Sequence, residues 1–146
     1  MWDVEGKRYI DYRLGFGPII LGHAYDEVTD HVAKLMREGN LFSLTSTAEI
    51  RAAEAVKRMT GADKVRFTNS GTESVMHAVR IARAHTNRDL LIKFEGAYHG
   101  SFDYAMWTTP GTAVSAMGSS KSPNPVPSSS GIPKPLYGLT LTLPAG

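Results

Sequence analysis

The short run Val65-Arg66-Phe67-Thr68 ends on Asn69-Ser70-Gly71-Thr72-Glu73 and passes at once into a helical pattern. This strand-to-helix joint constrains the fold more than any other stretch. The N–H groups of a new helix N-terminus point outward without intrahelical partners, and the helix dipole favours an anion there. Ser70 and Thr72 add hydroxyl donors, and Gly71 has no Cβ to keep a phosphate off the backbone. Ser70 with Glu73 also spells a capping box, which needs no ligand. Both readings stand at this point.

The pattern around the joint sets the fold class. A strand at 64–68, a helix at 72–85 and a strand at 90–94, after the turn-forming Asn87-Arg88-Asp89, spell a βαβ unit. The class is therefore α/β, with a parallel or mixed sheet. Upstream, residues 2–21 read as extended, with two short strands about a Gly6 turn. A helix is expected over 25–38, where Val28, Val32, Leu35 and Met36 share a face. Ser46-Thr47-Ala48-Glu49 is a second capping box and opens a helix that runs to Gly61.

After Asp103 the character changes. No acidic residue follows, and residues 108–135 are rich in Gly, Ser and Pro. A loop that long is functional or disordered. Leu139-Thr140-Leu141-Thr142-Leu143 alternates like a half-buried strand. One βαβ unit and one more strand leave sheet edges unpaired and a face poorly covered. The chain is therefore expected to be the front portion of a larger α/β protein.

Composition narrows the partners. A formal charge of +2, with no basic run interleaved with aromatics, gives no support for nucleic acid or an anionic membrane. Cysteine is absent, so disulfides and thiolate metal sites are excluded. Residues 2–5 lack a basic segment leading into an apolar one, so no signal peptide is expected, and no run is long enough to span a membrane. A cytoplasmic protein is the expectation.

The histidines show no metal-ligand spacing. His31, His77 and His85 fall on expected helices, whereas His23 and His99 sit in loops and are better functional candidates. Tyr98 and His99 follow the second strand, where ligands gather in open α/β sheets. A Tyr98 ring there could stack on a flat cofactor or simply be a buried aromatic. Lys93 tempts as a Schiff-base lysine, but side chains alternate along a strand. Flanked by Ile92 and Phe94, it is expected to face solvent. Arg80, Arg83 and Arg88 read as favourable charge at a helix C-terminus.

Four segments together resemble a known family. They are Trp2-Asp3-Val4-Glu5-Gly6-Lys7-Arg8-Tyr9-Ile10-Asp11-Tyr12, Leu21-Gly22-His23-Ala24, Phe67-Thr68-Asn69-Ser70-Gly71-Thr72-Glu73 and Ile92-Lys93-Phe94-Glu95-Gly96-Ala97-Tyr98-His99-Gly100. Their order and spacing are similar to those of class III aminotransferases, pyridoxal-phosphate (PLP) enzymes of fold type I. The nearest likeness is to glutamate-1-semialdehyde 2,1-aminomutase and related transaminases. The likeness covers residues 2–103 well and runs more loosely to Leu143.

The resemblance implies roles. Ser70, Gly71 and Thr72 would bind the cofactor phosphate, Tyr98 would stack on the pyridine ring, and His99 would lie beside it. Phe16, in Gly15-Phe16-Gly17, would help wall the substrate pocket. Residues 1–45 would be an N-terminal strand-and-helix segment and 46–146 the incomplete first part of the PLP-binding large domain. Partners would be a small-molecule amino donor, a carbonyl acceptor and a second subunit of a homodimer.

The resemblance also implies an absence. The family's aldimine lysine and its pyridine-nitrogen aspartate lie later than residue 146, and none of the seven lysines here matches. No catalytic residue is therefore assigned, and this chain carries half of a site. Trp107-Thr108-Thr109-Pro110-Gly111-Thr112-Ala113 is not a close match to the mutase gating segment, and Phe16 stands where a mutase tryptophan is expected. Both favour general amino-group transfer. The alternatives are a non-catalytic PLP- or phosphate-binding or interaction module, and, least favoured, an unrelated α/β nucleotide binder. The latter lacks a Walker lysine and a G-x-G-x-x-G loop.

Overall fold

The computed structural model describes residues 1–145 and divides into two compact units, Met1–Asp63 and Lys64–Gly146.

The first unit is built from local signals. Asp3 Oδ1 accepts from the Glu5 and Lys7 N–H groups at 3.0 and 2.9 Å, and Gly6 turns with φ 81°. The expected pair of strands reduces to one bridge, Trp2 with Arg8. A 3-10 turn at Leu14–Phe16 follows, then α1 (Asp26–Met36) and α2 (Thr47–Thr60). Asp26 and Glu27 open α1 and Lys34 closes it, complementing the helix dipole. The Ser46 hydroxyl accepts from the Glu49 N–H at 3.2 Å, which is the N-cap half of the expected capping box, and Gly61 ends α2 in the left-handed region.

Within this unit Asp11 ties a strained loop. Its Oδ1 accepts from the Arg13 and Leu14 N–H groups at 2.8 and 3.0 Å, and its Oδ2 lies 2.6 Å from His23 Nε2. Between these ties Leu14, Gly15, Phe16, Gly17 and Gly22 all have positive φ. The His23 hydrogen bond, followed by those from Leu14 and Arg13, holds the Asp11 carboxyl below its usual range.

The second unit contains α3 (Gly71–Thr86), β1 (Leu91–Phe94), the small pair β2 (Gly118–Ser119) and β3 (Ser122–Pro123), and β4 (Thr140–Leu143). β1 pairs in parallel with β4, in the register Leu91 with Thr140 and Lys93 with Thr142. The strand expected at 64–68 does not form. A strand exists as part of a ladder, and no described segment pairs with this run. The Gly-, Ser- and Pro-rich stretch is instead structured by tight turns, the antiparallel β2–β3 pair and a bridge between Trp107 and Pro127.

The β1–β4 sheet also corrects the expected facing of Lys93. Lys93, Thr140 and Thr142 are the buried positions, at 5 %, 0 % and 3 % exposure, while Ile92, Phe94, Leu141 and Leu143 are exposed. The alternation holds, but the polar face is the covered one. Residues 105–108 do the covering, and with Ile132 they supply the fully buried apolar residues Ala105 and Trp107. Trp107 packs edge-on against Tyr137 at 4.9 Å and donates from Nε1 to the Asp103 carbonyl at 2.8 Å. Arg83 goes beyond a favourable helix-end charge. Its guanidinium lies 3.9 Å from the Tyr104 ring centre, and its Nε donates to the Asp89 carbonyl at 2.9 Å. No described helix is long and apolar enough to cross a membrane.

Two outcomes are expected. A depressed carboxyl contributes stability above its unfolded pKa, near 3.9, and loses it as pH falls. The stability advantage of the intact wild-type protein over Asp11→Asn should therefore hold above about pH 5 and shrink as the pH falls through about 3.9 and below in thermal melts. A constant difference would contradict the Asp11 tie. Parallel sheets are normally covered on both faces. With the apolar face of β1–β4 exposed, the isolated 146-residue chain should associate and melt without a sharp transition. A soluble monomer with a cooperative melt would contradict this.

Candidate functional site

The site is assembled in the second unit from two pieces of backbone, the N-terminus of α3 and the loop after β1. Ser70 is the N-cap of α3. Its hydroxyl accepts from the Glu73 N–H at 3.2 Å, and Glu73 Oε2 accepts from the Asn69 N–H at 2.9 Å. The capping box is thus present, with the glutamate reaching one residue upstream of the cap. It does not compete with an anion site. The N–H groups of Gly71 and Thr72, at the first helical positions, have no intrahelical partner. The Ser70 hydroxyl uses its oxygen for the cap and keeps its proton to donate.

Gly71 and Gly100 are glycines for different reasons. Gly100 has φ 92°, and a Cβ there would stand 2.6 Å from the Thr72 Cα. The loop therefore lies directly on the helix start, and only glycine allows the approach. A Cβ at Gly71 would meet nothing within 4 Å, and its φ is not left-handed. The folded chain itself makes no demand for glycine at 71. A bound group approaching the backbone there would make one.

The loop carries the aromatic residue. The Ser101 N–H donates to Thr72 Oγ1 at 3.1 Å, which ties the end of the loop to the helix start and leaves the Thr72 hydroxyl proton free to donate. The Tyr98 hydroxyl is 2.7 Å from Ser101 Oγ. Tyr98 as a residue remains 58 % exposed, which leaves it accessible to a planar group. His99 is exposed beside it and borders a cavity of about 210 Å³ with Val75, Val79, Lys93 and Ala105.

The structure therefore brings together Ser70, Gly71, Thr72 and the loop bearing Tyr98 and His99. Phe16 belongs to the first unit, where it has φ 64°, is 85 % exposed and stacks with the Arg13 guanidinium at 4.8 Å from its ring centre. Two contributors to the site's support were not singled out for it from sequence. Ser101 locks the Tyr98 hydroxyl, and its signal was its place directly after Gly100. Thr108, whose carbonyl accepts from the Gly96 N–H at 2.8 Å, had no sequence signal. Among the described residues, no cluster of His, Asp or Glu could hold a metal ion.

A phosphoryl group on a flat ring fits these residues. Free N–H groups at a helix N-terminus, two hydroxyl donors and open space above Gly71 suit the phosphate, and Tyr98 suits the ring.

Comparison with known proteins gives the family. The family described as Aminotransferase class-III matches residues 1–136. Glutamate-1-semialdehyde 2,1-aminomutase of Methanothermobacter thermautotrophicus is 44% identical over 142 residues, which cover 97% of this chain and 31% of the relative. An omega-transaminase from Sphaerobacter thermophilus superposes with a TM-score of 0.88 at 33% identity, covering 98% of this chain and 32% of that one. A transaminase solved with PLP bound gives a TM-score of 0.82 at 32% identity, with the same coverage of 98% and 32%. The chain thus spans about a third of the length of the curated relatives it matches. Its α/β architecture is that of the N-terminal part of a type I PLP-transferase fold. The chain belongs to the class III aminotransferases.

Proposed function

We propose that residues 70–72 and 98–99 are the phosphate and ring half of a PLP site. The whole protein would be an aminotransferase moving an amino group between a small amino donor and a carbonyl acceptor. The observation that carries this reading is Gly71, a glycine no contact within the fold requires, placed where the N–H groups of α3 are free. PLP supplies an electron sink for the carbon that bears the amino group. The chain's own residues bind and orient it. The Gly71 and Thr72 N–H groups and the Ser70 and Thr72 hydroxyls hold the phosphate, Tyr98 lies against the ring, and His99 lies beside it.

The remaining parts are assigned outside residues 1–146: a lysine that anchors the cofactor and moves protons, and an aspartate at the pyridine nitrogen. Phe16 would wall the substrate pocket, and assembly would be a homodimer. In the intact protein, residues 1–45 would form the N-terminal segment and 46–146 the start of the large domain. Phe16 and the 107–113 segment favour transfer between two molecules over the mutase reaction.

Gly71→Asp tests the phosphate site with opposed readouts. A carboxylate in the first turn of a helix is favourable by about 0.3–1 kcal/mol, so the cofactor-free intact protein should melt no lower than wild type. The same carboxylate would occupy the anion position, and PLP affinity should fall on the order of a hundredfold. Absorbance titration and melting of the same samples check both. Wild-type PLP affinity in Gly71→Asp would overturn the assignment. Saturable PLP binding by the intact wild type without amino-group transfer would favour a non-catalytic module.

A further inference from the structure

Among the described residues, Lys93 is the one buried charged side chain, and the site described above does not use it. No Asp or Glu side chain among the described residues forms an ion pair with it. Its Nζ donates instead to two main-chain carbonyls, those of Trp107 and, at 3.4 Å, Thr108. Burying an ammonium on carbonyls alone is costly, and an apolar side chain would fill the volume with less penalty. Packing does not account for a lysine here; a need for a donor at that place does.

The two carbonyls belong to a buried, hydrogen-bonded step in the chain. Thr108 is fully buried with φ 45°, a strained backbone for a β-branched residue. It is held from the other side by residues 124–126. Its N–H donates to the Val126 carbonyl at 2.7 Å, and its Oγ1 accepts from the Val126 N–H at 3.0 Å. The Thr108 carbonyl that receives Lys93 also receives the Gly96 N–H at 2.8 Å. Gly96 opens the loop that carries Tyr98. At the other end of the loop, Ser101 and Gly100 rest on Thr72.

We propose that Lys93 is a positioning residue: by clasping the Trp107 and Thr108 carbonyls, it fixes the Gly96 end of the loop and so sets Tyr98 against the cofactor ring. The inference rests on the PLP reading above. Lys93 forms no hydrogen bond with residues 70–72 or with Tyr98. It acts through the Thr108 carbonyl and Gly96.

A double-mutant cycle in the intact protein tests it, with PLP affinity and the visible circular dichroism of bound PLP as readouts. Lys93→Met keeps the stem and removes the donor. It should weaken PLP binding about tenfold and reduce the visible dichroism. In a Tyr98→Ala background the same change should cost little more, because its route is gone. Lys93→Gln, which keeps an N–H donor, should fall between wild type and Lys93→Met, and it carries the cycle if Lys93→Met does not fold. Multiplying effects of the two changes would overturn the proposal, as would a lower melting temperature with unchanged PLP affinity per folded molecule. If the wild type fails to bind PLP, the function reading falls. If Tyr98→Ala weakens binding while both Lys93 variants bind as wild type, only this inference falls.

Discussion

Helix α3 and the loop after β1 meet backbone to backbone, and the candidate site depends on that approach. A side chain at Gly100 would stand 2.6 Å from the Thr72 Cα, so the loop can rest on the helix start only with glycine there. The contact aligns the Ser101 N–H with the Thr72 hydroxyl and brings Tyr98 to the edge of the helix N-terminus. A phosphate site alone would be a common feature of a helix end. A helix end with an exposed tyrosine held beside it suits a phosphorylated flat ring, which is the reading proposed above.

The sheet beneath shows a second constraint. β1 and β4 bury their polar face against residues 105–108 and leave Ile92, Phe94, Leu141 and Leu143 exposed. Parallel strands with one apolar face open are half of a layered arrangement. The chain covers about a third of the length of its curated relatives, in keeping with that. Lys93 lies on the closed face. There its ammonium donates to the Trp107 and Thr108 carbonyls, and burial pulls its pKa below the usual lysine range.

What was legible in the sequence was local. Ser46 with Glu49 and Ser70 with Glu73 mark helix starts because a cap involves residues three apart, and both appear as read. Gly61 and Asn87 end their helices in left-handed conformations for equally local reasons. The run 64–68 has the composition of a strand but forms none, because a ladder needs a partner that the run itself does not name. Period-two alternation separated Lys93 from Ile92 and Phe94 correctly, yet alternation does not say which face will be covered. The strain at Thr108 had no signature, since a threonine at positive φ persists only through contacts distant in sequence. Of the candidate site, Ser70-Gly71-Thr72 is visible as a motif at a helix start. The support of the Tyr98 loop is not, because it depends on residues 108 and 124–126.

The most direct measurement is a crystal structure of the intact protein with PLP. The expected result is phosphate oxygens within hydrogen-bond distance of the Gly71 and Thr72 N–H groups, with the Tyr98 ring stacked on the pyridine. A phosphate bound away from the start of α3, or a ring out of contact with Tyr98, would contradict the central claim.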